Sequence, residues 1–361
     1  MGGPGESELP LLGIESAEDE PEIAKVRDFF VTVAGGLEDV ALREIKSRLK
    51  CVSKVRVERR QRLGRIHFRY DRSPSHLTSL ECVEGVFADL LQFACVTPGR
   101  PGLLRIAEAV SGVDLAPGVV LYNILNGIPE GSGVVVNCTV GRGHRFTSGE
   151  LHQVIRLVLA ETYGVEDDEL QGPYSLHVRI EGKRGVIGFR LTERDPLDTA
   201  RVPGDLTGAT SRALVELIRP ESGDVWVDIG CRSGNLGRAF SAKCAGVVVL
   251  ETRLDWVIAG EGVEAIAVAD GISSPLRDAS VNGVIVNARR RSELRFDETL
   301  QAECLRLLGA ERYGQVVLLC ERDREMEAEM DEKRIPFKCV LRHPVHLGGD
   351  PVSLYHLRVT G

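Results

Sequence analysis

From residue 206 to the C-terminus the chain repeats one rhythm: a short β-prone run, a stretch with helical spacing, then another short run. The runs lie at 225–228, 247–250, 266–269, 284–287 and 316–320. Apolar strands alternating with helices bury both faces of a sheet only when it is parallel and doubly wound, since each crossover helix must cover a face. That constraint sets the class of the C-terminal half. Two last runs, 337–342 and 353–359, are joined by a Pro- and Gly-containing turn instead of a helix. They predict an antiparallel hairpin added to the same sheet.

The first 200 residues have another pattern. A strand at 29–33 precedes a helix at 37–49 with Leu37, Ala41, Ile45 and Leu49 on one face. Val52, Val55 and Val57, then Ile66, Phe68 and Tyr70, predict two strands joined through an Arg-rich turn, and a further helix and strand end near Val96. Residues 98–102, Pro-Gly-Arg-Pro-Gly, read as a linker. Beyond it comes a strand at 134–140, a turn through Gly141 to Gly143, and a helix opened by the capping box Thr147-x-x-Glu150. Leu151, Val154, Ile155, Val158 and Leu159 form its buried stripe, and strands at 175–181 and 186–191 close the unit. The expected division is an acidic disordered tail over 1–27, α/β units over 28–100 and 101–200, and the doubly wound unit over 201–361.

The net charge of −8 argues at first against a nucleic-acid partner, yet it is unevenly spread. Acid gathers in the tail and at 166–169, while Lys54, Arg56, Arg59, Arg60, Arg62, Arg65, Arg69 and Arg72 crowd one segment. Arg142, His144 and Arg145 lie on a turn just ahead of a helix N-terminus, where side-chain cations and backbone N–H groups can meet one phosphate. Nine scattered cysteines without a CxxC pair exclude a zinc ribbon or a disulfide framework, and no metal is expected at His343, His346 or His356. No apolar run is long enough for a membrane span and the acidic start lacks signal-peptide order, which predicts a cytoplasmic or nuclear protein. Trp226 and Trp256 read as packing residues.

The residues 29–38 (FFVTVAGGLE), 142–148 (RGHRFTS) and the strand end Asp228-Ile-Gly-Cys231, in this order, resemble the THUMP-containing RNA guanine-N2 methyltransferases along nearly the whole ordered chain. The resemblance implies a class I methyltransferase-like doubly wound sheet, preceded by a ferredoxin-like piece and a THUMP α/β domain. It implies S-adenosylmethionine as cofactor, structured RNA, usually tRNA, as substrate, and, in some members, a small zinc-binding activator subunit. Arg142, His144 and Arg145 then become the RNA grip. Asp228, Gly230 and Gly234 frame the cofactor turn, Glu251 takes the ribose hydroxyls, and Asp270 accepts from the adenine amine. Asn287 becomes the catalytic residue: a guanine amine has its lone pair delocalised into the base, and a side-chain carbonyl accepting its N–H orients it for attack.

Two departures from that family keep a second expectation open. Arg232 stands where the family has glycine, and a guanidinium about 6 Å from a sulfonium costs roughly 3 kcal/mol at an effective dielectric of about 20. The fourth strand runs into Asn287-Ala-Arg-Arg290 instead of Asn-Pro-Pro-aromatic, so Arg290 must stack on the base in place of a ring. The alternative to a methyltransferase is an RNA-binding protein with an inactive methyltransferase-like half. A nicotinamide oxidoreductase also matches the strand-then-acid spacing at Glu251, but the chain has no GxGxxG run.

Overall fold

The computed structural model describes residues 26–129, 131, 133–164, 172–193, 205–252, 263–267, 273–289, 296–309, 314–321, 336–348 and 350–360. Nearly all of the expected acidic tail, together with Trp256, Asp270 and Arg290, lies outside the described residues. Among the described residues no helix is long and apolar enough to cross a membrane.

The strands up to residue 193 form one seven-stranded sheet rather than two separate ones. These are β1 (Asp28–Ala34), β2 (Ser53–Glu58), β3 (Leu63–Arg69), β4 (Gly85–Ala94), β5 (Val134–Val140), β6 (Tyr174–Glu181) and β7 (Arg184–Arg190), in the order β2-β3-β1-β4-β7-β6-β5. The join is β4, whose ten residues are long enough to pair β1 at Phe87 and Ala88 on one side and β7 from Phe87 to Ala94 on the other. The units expected at 28–100 and 101–200 share this sheet.

One face of that sheet is apolar: Phe29, Val31, Ile66, Phe68, Val86, Leu176, Val178 and Phe189 are all buried. It packs against α1 (Glu38–Arg48), α2 (Arg100–Ser111), α3 (Ala116–Asn126) and α4 (Ser148–Tyr163). Helices α2 and α3 have no counterpart in the sequence reading. The linker expected at 98–102 in fact starts α2, with Pro101 in its first turn, where a missing N–H costs nothing. The capping box at α4 is formed: Thr147 Oγ1 accepts from Glu150 N at 3.1 Å, and Glu150 Oε2 accepts from Thr147 N at 2.7 Å. Thr147→Ala is expected to lower stability by about 1 kcal/mol in chemical unfolding, and Thr147→Ser to restore most of it; no change in Thr147→Ala would show that the cap carries no weight.

The opposite face is polar, with Arg65, His67, Asp89, His177, Arg179 and Arg190 along β3, β4, β6 and β7. Arg56 on β2 reaches Gln92 on β4 at 3.2 Å, and Arg60 in the β2–β3 turn reaches Glu181 on β6 at 2.6 Å, so parts of the sheet that are not neighbours are bridged across this face. The sheet therefore coils with this face concave, an extreme of ordinary strand twist.

The second sheet comprises β8 (Val225–Ile229), β9 (Gly246–Glu251), β10 (Val263–Ala267), β11 (Gly283–Ala288), β12 (Gln315–Glu321), β13 (Phe337–Leu347) and β14 (Asp350–Val359), in the order β10-β9-β8-β11-β12-β14-β13. The first five strands of that order are parallel, and β14 is antiparallel to both of its neighbours, as the sequence predicts. Helices α5 (Gly208–Ile218), α6 (Asn235–Ser241) and α7 (Glu298–Leu308) complete this half. The two halves are bound together. Glu84 Oε1 accepts from Thr210 Oγ1 at 2.7 Å, Arg212 Nε donates to Glu81 O at 2.9 Å, and His343 Nε2 bonds Gly36 O at 2.7 Å. Gly36 has φ +91, and a Cβ there would sit 2.3 Å from Pro344 O, so only glycine allows this approach.

Candidate active site

Strand β8 carries Asp228 one residue before its end and runs into a turn through Gly230 and Gly234, whose φ values of +68 and +78 belong to the left-handed region. Arg232, at φ +55, takes the same conformation without being glycine. The turn is pinned to β9: Gly230 N donates to Leu250 O at 3.0 Å, and Arg232 N donates to Glu251 Oε2 at 2.8 Å. That backbone bond offsets the left-handed strain, which costs about 1–2 kcal/mol for a residue with a Cβ.

Asp228 is 1% exposed. Its Oδ2 accepts from Gly237 N at 3.1 Å, while Oδ1 is buried without a partner among the described residues. Burial pushes its carboxyl well above the usual range, and the neighbouring Asp205 and Glu251 push it further. Asp205 was not singled out in the sequence. Its Oδ1 accepts from Leu206 N at 2.8 Å, and its Oδ2 and Ser233 Oγ lie close without closing a hydrogen bond. Burial raises the Asp205 carboxyl too, and the Arg289 and Arg232 charges counter that only in part.

Glu251, at the end of β9, has both carboxylate oxygens in use. Oε2 takes Arg232 N, and Oε1 takes Thr252 N at 2.8 Å and Thr252 Oγ1 at 2.9 Å. A carboxylate offers about four lone-pair sites, which leaves room for one more donor. Asn287, at the end of β11, is 4% exposed, and its Oδ1 accepts from Arg289 Nε at 2.8 Å. Cys231 is buried, and desolvation by burial, with Asp228 and Glu251 beside it, pushes its thiol far up; it is inert as a nucleophile.

The structure thus brings Asp228, Gly230, Gly234, Glu251 and Asn287 together at the carboxyl ends of the parallel strands, where open α/β sheets bind ligands. Asp205, Ser233, Arg232 and Arg289 join them. Three acids stand beside two guanidiniums, and Asp228 Oδ1 and Asp205 Oδ2 have no hydrogen-bond partner among the described residues. Asp205 was legible only as the acid just before the helix cap Thr207, and nothing local connects it to β8.

The expected RNA-grip residues lie elsewhere, on the β5–α4 turn. Arg142 and Arg145 are exposed and form no ion pair among the described residues, and His144 packs its ring 4.9 Å from Phe146. In the Arg-rich segment, half of the eight cations are already in ion pairs among the described residues: Arg59 with Asp39 at 2.6 Å, Arg56 with Glu58 at 3.1 Å, Arg60 with Glu181, and Arg69 with Asp71 at 3.3 Å. The terminal histidines go to separate partners, His343 to Gly36 O and His356 to Gln315 Oε1 at 2.8 Å.

No protein-family model and no curated protein matches the sequence. Solved structures do. TrmN from Thermus thermophilus superposes with a TM-score of 0.62 at 18% identity, over 92% of this chain and 99% of its own. SMU.472, assigned as a methyltransferase and crystallised in complex with SAH, gives 0.61 at 12% identity, over 92% and 98%. A protein assigned as an N6-adenine-specific DNA methylase from Listeria monocytogenes gives 0.60 at 11% identity, over 93% and 97%. At such identities the likeness speaks for the fold alone, and it spans almost the full length of both partners. The chain therefore has a class I methyltransferase-like α/β fold, a doubly wound sheet with an antiparallel C-terminal hairpin, carried behind a second seven-stranded sheet.

Proposed function

We propose that this chain binds S-adenosylmethionine at the ends of β8, β9 and β11 and methylates the N2 amine of a guanine in a structured RNA, with tRNA as the expected class. The observation that carries the reading is the pair of buried acids at the carboxyl ends of the parallel strands, Asp205 and Asp228, each with one carboxylate oxygen that has no hydrogen-bond partner among the described residues. Buried acceptors are nearly always satisfied in native proteins, so unpaired ones facing a cleft call for a cationic or hydrogen-bond-donating ligand. The cofactor fits: its ammonium suits Asp205 and Asp228, and a ribose hydroxyl suits the remaining site on Glu251. When bound, it supplies an electrophilic methyl group. Asn287 Oδ1 accepts an N–H of the target amine and fixes its direction, while Arg142, His144 and Arg145 hold RNA phosphates at a distance from the chemistry. Asp270 and Arg290 keep their proposed roles at the adenine and the target base.

One observation favours a second reading, an RNA-binding protein whose methyltransferase-like half is silent: Arg289 already occupies Asn287 Oδ1. In a working enzyme that oxygen either shares its second lone pair with the incoming amine or releases Arg289. Calorimetric titration with S-adenosylmethionine separates the two readings. Micromolar binding that disappears in Glu251→Ala supports the methyltransferase, and absence of binding at millimolar cofactor leaves the silent reading in front.

The same titration has a pH signature. The Asp205 and Asp228 carboxyls are raised in the folded, ligand-free protein above their ordinary 3.8. Their contribution to ligand-free stability is thus full below that value and is lost as pH rises through the folded values. A bound ammonium reverses the preference by favouring the ionised acids. Cofactor binding is expected to release protons and to weaken as pH falls through the raised folded values of these carboxyls; an affinity on the calorimeter that does not change with pH would count against this assignment of the two acids.

A further inference from the structure

The concave face of the first sheet and the second half enclose a cleft of about 760 Å³. Clefts that bury small ligands span roughly 300–1,000 Å³. Its floor is Arg65, with Phe30, Phe87, His177, Arg179 and Arg190 around it; Asp205 and Thr207 from the start of α5, and Leu347 and Gly348 at the end of β13, form the far wall. Arg65 is 6% exposed, and its Nε is buried without a hydrogen-bond partner. Its guanidinium lies 5.5 Å from the centre of the Phe30 ring, with no carboxylate within ion-pair distance among the described residues. Burial, and then the like charge of Arg179, lowers its pKa to about 10, whereas Glu181 and Glu58 help it only at a distance. An isolated buried cation of this kind is costly unless something pairs with it. Arg62, at the rim, is exposed and also without an ion pair among the described residues.

We propose that this cleft seats a phosphodiester of single-stranded RNA, with Arg65 as its buried anion receptor and Arg62 as the rim cation that meets the strand first. The inference rests on the RNA-facing part of the reading above and deepens it. Three observations select the ligand. The cleft-lining arginines outnumber the lining acids Glu84 and Asp205. The N-terminus of α5, the other anion-attracting feature, is already taken by Glu84, whose Oε1 accepts from Thr207 Oγ1 and Thr210 Oγ1 at 2.5 and 2.7 Å. Asp205, Leu347 and Gly348 also border a smaller cavity with Arg289, two residues past Asn287, so the two cavities share a wall on the side of β11. A nucleotide presented to Asn287 would place its neighbouring phosphate on this side of the fold. Arg142 and Arg145, on the β5–α4 turn, do not line the cleft and would act further along the RNA.

The test uses the full chain and a short guanine-containing oligoribonucleotide, with binding followed by fluorescence anisotropy across a salt series and thermal melting read in parallel. Arg65→Met, which keeps the side-chain stem, is expected to weaken binding about tenfold or more. It should also flatten the log–log salt dependence by about 0.7, the share of one phosphate on a single strand. Its melting temperature without RNA should hold or rise, because the substitution removes an unpaired buried charge; Arg65→Lys should keep most of the salt slope. Unchanged affinity and slope in Arg65→Met would overturn the proposal. So would a fall in melting temperature large enough to account for the weaker binding, which marks Arg65 as structural. If inorganic phosphate alone protects the wild-type fold as well as the oligoribonucleotide does, the cleft is a free-phosphate site and the RNA assignment fails. Failed cofactor titration with an intact Arg65→Met effect would sink only the methyl-transfer reading, and the reverse result only this one.

Discussion

Asn287→Ala is expected to reduce methyl transfer to RNA by about a hundredfold or more, since one orienting acceptor at the reacting atom is worth that much, while leaving cofactor binding near wild type. The separation arises from where the side chain sits. Asn287 lies one residue before the end of β11, beside the turn from β8, but its Oδ1 touches Arg289 and none of the acids assigned to the cofactor. A loss in turnover therefore should not be matched by a loss in the calorimetric titration. Arg289→Met, which frees the Asn287 oxygen, gives the complementary result: unchanged or faster transfer under the methyltransferase reading. Should Asn287→Ala transfer methyl groups as fast as wild type in single-turnover assays, Asn287 would lose its role as the orienting acceptor.

Trp226→Ala is expected to cost about 3–5 kcal/mol, the range for emptying a large aromatic site in a core that cannot collapse. Trp226 is fully buried in β8, one strand position before the approach to Asp228, with its ring 4.7 Å from that of Phe240 on α6. Gly283 on β11 lies directly over it: a Cβ there would come within 2.4 Å of the indole. The ring thus fills the space a glycine leaves, and neither neighbour can move in to close the gap. Trp226→Phe should cost far less, because it retains a ring and also removes an indole N–H that has no partner among the described residues. Urea unfolding with an unchanged slope would report both values. A loss below about 1 kcal/mol for Trp226→Ala would mean the core relaxes around the site, against the packing rule applied here.

Much of the second sheet was readable from order and spacing. Four of the five parallel strands and the final hairpin fall where alternating short apolar runs and one turn place them, whereas β10 lies at Val263–Ala267 instead of 266–269; Asp228, Glu251 and Asn287 follow because each lies at or next to a strand end. The reading of the first half was weaker. Helices α2 and α3 escaped notice, since Pro101 and Pro117 lie near their starts and a Pro/Gly cluster suggests a linker until the first turn of a helix is considered. Asp205 could not be joined to Asp228 from the sequence at all, because 23 positions and a whole helix separate them.

Side-chain periodicity and end signals are local properties of the chain, and they were enough to set the parallel, doubly wound class of the second half with its added hairpin, the cap at Thr147 and the acids near the strand ends. Which charges stay paired was decided only in three dimensions. The coiling of the first sheet brings Arg60 to Glu181 but leaves Arg65 without an ion pair among the described residues at the bottom of a cleft, and the placement of the segment ahead of α5 collects Asp205 beside Asp228. Pairing and burial depend on distances across the fold, which no spacing along the sequence encodes; for that reason eight similar cations in one segment came to do different things.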